Sequence, residues 1–152
     1  MKQRIDILSR EKAEELIENC FPDNTAVISF YDPQNVYTPQ EYKPVDYSSV
    51  CKNTFYVCIR DTEPVFLGNY NLYLDSYFPE AMQVAEFIVA AKKQEMDIIC
   101  QCEYGLSRSA ACAAAIMEFF YKTGIEVFAD YRYYPNKMIY HKLLEALKCV
   151  TD

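Results

Sequence analysis

One junction constrains this chain more than any other stretch. Residues 97–101, Asp-Ile-Ile-Cys-Gln, form a short apolar run of strand length. Residues 102–109 then read Cys-Glu-Tyr-Gly-Leu-Ser-Arg-Ser, and residues 109–121 are alanine-rich, with strong helix propensity. A strand running through a glycine-containing loop into a helix is a building unit of α/β layers. In such layers ligands bind beyond the carboxyl ends of the strands.

The rest of the chain fits that architecture. Ile5–Leu8 reads as a short strand, and Ser9 as the N-cap of a helix with Ala13, Leu16 and Ile17 on one face. Thr25–Tyr31 is a continuous apolar run of strand length, stopped by Asp32-Pro33. Residues 54–60 alternate like a strand, with Asp61 at the end. Phe78, Ala81, Met82, Ala85, Ile88 and Val89 mark an amphipathic helix with Pro79 in its first turn. Gly124 reads as the stop of the alanine-rich helix. A last helix from about Asn136 turns Ile139, Leu143, Ala146 and Leu147 inward. The expectation is an α/β fold: a central, mostly parallel sheet of four or five strands flanked by helices, in a single domain over 1–152.

Residues 32–53 break the pattern. Pro33, Pro39 and Pro44 interleave with Tyr37, Tyr42 and Tyr47. So long a loop is either functional or a tyrosine-rich flap over the core.

Composition narrows the function. With 152 residues the chain can bury roughly 70% of its unfolded surface. A net charge of -7 argues against nucleic acid and anionic membrane as broad partners. The N-terminus has no long apolar segment, and the longest apolar run stops at Glu118, so a soluble, cytoplasmic protein is expected. Seven cysteines without a secretion signal suggest reduced thiols. Cys51, Cys58, Cys100 and Cys102, with the one histidine His141, lack the paired spacing of structural zinc sites, so no metal is expected.

The loop at 102–109 has the parts that a phosphate monoester requires. A strand-loop-helix junction presents converging backbone N–H groups and the positive end of a helix dipole. Gly105 can adopt backbone angles closed to other residues. Arg108 carries a planar fork that holds two oxygens at once. The same field favours the thiolate of a cysteine at that position, which makes it a nucleophile. At average residue usage, chance places such a Cys-x5-Arg, with this glycine and a following Ser or Thr, on the order of a few times in a thousand.

At these residues the chain resembles the cysteine-dependent protein tyrosine phosphatases, in particular the small dual-specificity-like members of bacteria and phages. Their signature, His-Cys-x5-Arg-Ser/Thr, stands here as Gln101-Cys102-x5-Arg108-Ser109. Residues 26–33, 78–88 and 134–144 resemble the small bacterial members in patches.

The resemblance implies a tyrosine-phosphatase-like fold and a cysteinyl-phosphate intermediate on Cys102. It implies that Arg108 binds the phosphate and steadies the transition state, and that Ser109 assists release of the thiolate. The amides of Glu103, Tyr104, Gly105, Leu106, Ser107 and Arg108 would line the cradle. The implied ligand is a phosphorylated protein or small phosphomonoester, with phosphate or sulfate in the loop and no cofactor.

Two departures stand out. Gln101 replaces the family's histidine, and no Trp-Pro-Asp marks a general acid. Asp61 is favoured over Asp75 for that role, because Asp75 falls almost at a helix start. Beside the loop, Cys100 reads as a core cysteine, Glu103 as pointing outward and Tyr104 as a rim residue. Asn136 and Lys137 could reach the site, although Asn136 reads first as a helix cap. A phosphate-binding protein without turnover, and a sulfur-transfer or arsenate-reducing enzyme, are the competing expectations.

Overall fold

The structure, a computed structural model, describes residues 3–33 and 43–151. Four strands, β1 (Ile5–Leu8), β2 (Thr25–Tyr31), β3 (Thr54–Cys58) and β4 (Asp97–Gln101), form one sheet in the order β1-β4-β2-β3. Every pairing is parallel. The helices are α1 (Arg10–Asn19), α2 (Ala81–Lys93), α3 (Arg108–Tyr121), α4 (Ile125–Ala129) and α5 (Lys137–Val150). Two 3-10 segments, Pro64–Tyr70 and Leu74–Ser76, lie between β3 and α2.

The pleat divides the core. Along β2, Ala26, Ile28 and Phe30 face one way and join Ile98 and Cys100 of β4 under α2, α3 and α5. Val27 and Ile99 face the other way and pack against Ala13, Leu16 and Ile17 of α1. Both inner strands are therefore buried on both faces, which explains their unbroken apolar runs. In α3 every side chain from Arg108 to Ile116 is buried. Its alanines let the sheet, α4 and α5 approach closely from three sides.

The helix starts follow local chemistry. Ser9 accepts from the Lys12 amide at the start of α1, and Asn136 accepts from the Ile139 amide at the start of α5. Three expectations are corrected. Phe78 adopts a left-handed backbone, φ 59°, and α2 begins only at Ala81, so Phe78 and Pro79 precede the helix. Met82 is exposed, and Val84 takes the inward position. The α3 stop is Lys122, at φ 59°, with its amide bonded to the Glu118 carbonyl. Gly124 lies close against Ala114 and Glu118 instead.

Within the long loop, the stretch 34–42, with Pro39, Tyr37 and Tyr42, lies outside the described residues. The described part covers the core on the α1 side, with Val45 and Tyr47 buried there. Among the described residues no helix is long and apolar enough to cross a membrane.

Candidate active site

The loop at 102–107 leaves the carboxyl end of β4 and enters α3. The β1–α1 corner clamps it from one side. The Cys102 amide donates to the Leu8 carbonyl at 3.2 Å, and the Arg10 amide donates to the Glu103 carbonyl at 3.0 Å. Gly105 has φ 68°, and a Cβ there would sit 2.7 Å from the Ser9 backbone nitrogen. Both facts demand glycine. Gly105→Ala is expected to destabilise the fold by about 2–3 kcal/mol and to weaken phosphate binding, read by urea unfolding and calorimetric titration.

From the other side, the Tyr134 amide donates to the Leu106 carbonyl at 2.8 Å and the Asn136 amide to the Ser107 carbonyl at 3.2 Å. Four backbone bonds thus hold the loop, three of them through its carbonyls at Glu103, Leu106 and Ser107. Among the described residues, none of the amides of 103–107 donates a hydrogen bond. Free backbone donors just before a helix N-terminus suit an oxyanion.

Cys102 is 2% exposed, and its Sγ lies 3.1 Å from Ser109 Oγ. The Ser109 hydroxyl can donate to a sulfur anion at that distance. Arg108 is also buried. Its Nη1 donates to Asp32 Oδ1 at 2.7 Å and to the Ile59 carbonyl at 2.8 Å. Burial acts to lower the Arg108 pKa, but Asp32, Cys102 and Asp61 together raise it. Its Nε is buried and has no hydrogen-bond partner among the described residues. The fork is held on one side and keeps a donor on the other.

Asp61 reaches the loop across the cleft. Its Oδ1 accepts from Ser107 Oγ at 2.8 Å and from Asn136 Nδ2 at 2.9 Å. Asn136 also bonds the Tyr77 hydroxyl at 3.0 Å, which in turn donates to the Arg60 carbonyl at 2.6 Å. Burial pushes the Tyr77 phenol up to about 12, against the opposing Asn136 bond, so it stays a donor at neutral pH. Asp61, Cys102, Ser107, Arg108 and Asn136 line one cavity of about 1220 Å³. Asp75 is not among its lining residues and sits exposed in the second 3-10 segment.

Gln101, which stands where the resembled signature has histidine, is 2% exposed. Its Oε1 accepts from Ser29 Oγ and from the Tyr47 hydroxyl, both at 2.6 Å, and its Nε2 donates to the Cys102 carbonyl at 3.0 Å. Burial raises the Tyr47 phenol pKa well above its usual value, so that hydroxyl remains a donor. A neutral amide, bonded at both its oxygen and its nitrogen, therefore holds the carbonyl of Cys102.

Glu103 turns away from the cradle, with its carboxylate 2.8 Å from Arg10 Nε. Tyr104 is exposed at the rim. Cys100 lies in the core, and burial together with the adjacent Cys112 raises its pKa well above the usual thiol value.

Ser29 and Arg10 did not stand out in the sequence, and Asp32 and Tyr47 read only as a strand stop and as one tyrosine of the long loop. For Asp32 a signal existed: it directly follows β2 at the carboxyl edge of a parallel sheet, where ligands bind, whereas β3 ends at Cys58, short of the expected residue 60, and Asp61 lies three residues beyond it. Tyr47 carried no such signal, because its partner lies on another strand.

The fold is that of solved tyrosine phosphatases and tyrosine phosphatase-like proteins. No family model matches the chain, and no curated protein matches it. Among solved structures it is similar to the human tyrosine phosphatase-like serine/threonine/tyrosine-interacting protein, at 18% identity and a TM-score of 0.56, over 95% of this chain and 87% of that one. It is similar to PTPMT1 in complex with PI(5)P, at 13% identity and a TM-score of 0.58, over 99% of this chain and 94% of that one. It is similar to OH1 from the Orf virus, a tyrosine phosphatase with triple substrate specificity, at 12% identity and a TM-score of 0.53, over 97% of this chain and 84% of that one.

Proposed function

We propose that this chain is a single phosphatase-like domain that hydrolyses phosphate monoesters, phosphotyrosine or similar, through a cysteinyl-phosphate intermediate. One observation carries the reading. A buried cysteine opens a loop whose amides at 103–107 donate no hydrogen bond among the described residues, and a buried arginine and an aspartate line the same cavity.

The geometry supports the following roles. The amides of 103–108 and Arg108 Nε bind the phosphate oxygens, and Asp32 and the Ile59 carbonyl fix the guanidinium. The Cys102 thiolate attacks phosphorus as the bond to the leaving oxygen breaks. Asp61, protonated, gives its proton to that oxygen. In the second step the Asp61 carboxylate takes a proton from water, the water oxygen bonds to phosphorus, and the S–P bond breaks. The electron pair returns to sulfur, where the Ser109 hydroxyl donates to it. Seven cysteines outside any disulfide suit a reducing compartment such as the cytoplasm.

The test is release of inorganic phosphate from a small aryl phosphate, with Cys102→Ser protein measured alongside. Equal rates for the two proteins overturn the reading. The role of Asp61 has its own signature. Asp61→Asn is expected to lower kcat by about 10²- to 10⁴-fold for an alkyl or unsubstituted phenyl phosphate. For para-nitrophenyl phosphate, whose phenolate leaves without a proton, the loss is expected to be much smaller. An equal loss for both substrates would reject Asp61 as the acid.

A second reading has one observation in its favour. Gln101 cannot carry the positive charge of an imidazolium, and it leaves the nucleophile without that field. A protein that binds phosphopeptides without turning them over would then result. Robust phosphate release excludes it.

A further inference from the structure

The walls of the cavity differ from its floor. Around Cys102 and Arg108 rises an apolar, largely aromatic surface in which Phe66, Tyr70, Tyr104, Leu106 and Tyr134 are all exposed. Tyr104 and Tyr134 are 77% and 75% exposed. A volume of about 1220 Å³ exceeds what a phosphate and its ring fill, so the cleft accommodates neighbouring groups as well. Exposed apolar patches of this kind mark binding surfaces.

Charge is even in the cleft itself, where Asp61 and Glu63 face Lys137 and the buried Arg108. Arg60, close by, stacks on the Tyr70 ring at 4.2 Å. Tyr104 also borders a second depression, of about 490 Å³, over the start of α1. Among the described residues Glu11, Glu14, Glu15, Glu18 and Glu103 line it together with Arg10, and Lys12 pairs with Glu15 at 3.6 Å, so acid is in excess there. Arg10 is already paired with Glu103 at 2.8 Å.

We propose that the occupant of this cleft is a phosphotyrosyl protein segment with apolar residues on one flank and basic residues on the other. The apolar flank lies on the Phe66–Tyr134 wall, and the basic flank crosses Tyr104 to the glutamates of α1. Charge complementarity selects it, since an acidic flank or an anionic lipid surface would meet like charge on the α1 side. The inference rests on the phosphatase reading of the same site and adds its selectivity.

Binding is measured with Cys102→Ser protein, so the answer does not depend on turnover. The probes are two phosphotyrosyl peptides of equal length, one with Leu/Phe and Arg/Lys flanks, the other with Asp/Glu flanks. Phosphatidylcholine vesicles with and without a phosphoinositide monophosphate complete the set. The apolar–basic peptide is expected to bind at least about ten-fold more tightly than the acidic one, with the gap narrowing as salt rises. Glu14→Lys with Glu15→Lys, on the exposed face of α1, is expected to shrink the gap several-fold.

Equal affinities, or tighter binding of the acidic peptide, overturn the proposal. Vesicle binding tighter than either peptide overturns it as well. Wild-type protein that releases no phosphate from an aryl phosphate, while the peptide preference persists, overturns the catalytic reading and supports this one.

Discussion

Cys102→Ser protein is expected to release phosphate from a small aryl phosphate at least about 10⁴-fold more slowly than wild type. The serine hydroxyl stays protonated at neutral pH and is a poor nucleophile in the absence of a base. No histidine is available to activate it, because the one histidine, His141, lies on α5 and does not line the cavity. The substitution is nearly isosteric, and the loop is held by backbone bonds to Leu8, Arg10, Tyr134 and Asn136. Oxyanion binding, which uses the amides and Arg108, is therefore expected to remain within a few-fold of wild type. Steady-state phosphate release and calorimetric titration with tungstate or phosphate separate the two quantities. Loss of both together would point to a collapsed loop and away from a lost nucleophile.

Arg108→Lys is expected to lower kcat/KM by about 10³-fold. Arginine here serves two sides at once. Nη1 is committed to Asp32 and the Ile59 carbonyl, while Nε is buried with no partner among the described residues, and the proposed mechanism gives it to the phosphate. An ammonium can be drawn to Asp32 or to the phosphate, but its donors do not form a planar fork that spans both. The ground state and the transition state both lose a charge-assisted bond, so KM rises and kcat falls. Asp32→Asn should move in the same direction by a smaller factor, because the guanidinium loses its anchor and keeps its charge. If Arg108→Lys retained wild-type kcat/KM, the arginine would have no part in the chemistry.

Element order and the loop were legible because they are local properties. Strand runs at Thr25–Tyr31 and Asp97–Gln101, the N-caps Ser9 and Asn136, and the alanine-rich helix after the loop all follow from spacing and propensity within a few residues. Where local signals misled, tertiary packing had overridden them. Phe78 belongs by pattern to the α2 face, yet it turns left-handed to pack against Phe30, with ring centroids 6.3 Å apart. Lys122 ends α3 in place of Gly124, because the glycine's missing side chain is used against Ala114 and Glu118. The 3-10 segments and α4 carried no periodic signal, being too short to show one.

For the site, the sequence by itself determined the loop: a cysteine, a glycine where φ must be positive, and an arginine at the first turn of a helix. These lie within eight residues, so chain geometry brings them together in any fold that keeps the strand and helix on either side. Only the tertiary structure decided which distant groups meet them. The sheet order β1-β4-β2-β3 puts β4 beside β2, which sets Asp32 against Arg108 and Ser29 against Gln101. The flap folding back over the α1 side delivers Tyr47 to the same amide. The segment after β3 lays Asp61 against Ser107 and leaves Asp75 outside the cavity. The reason is physical: such contacts depend on strand order and on packing between residues far apart in the chain, and no local pattern encodes either.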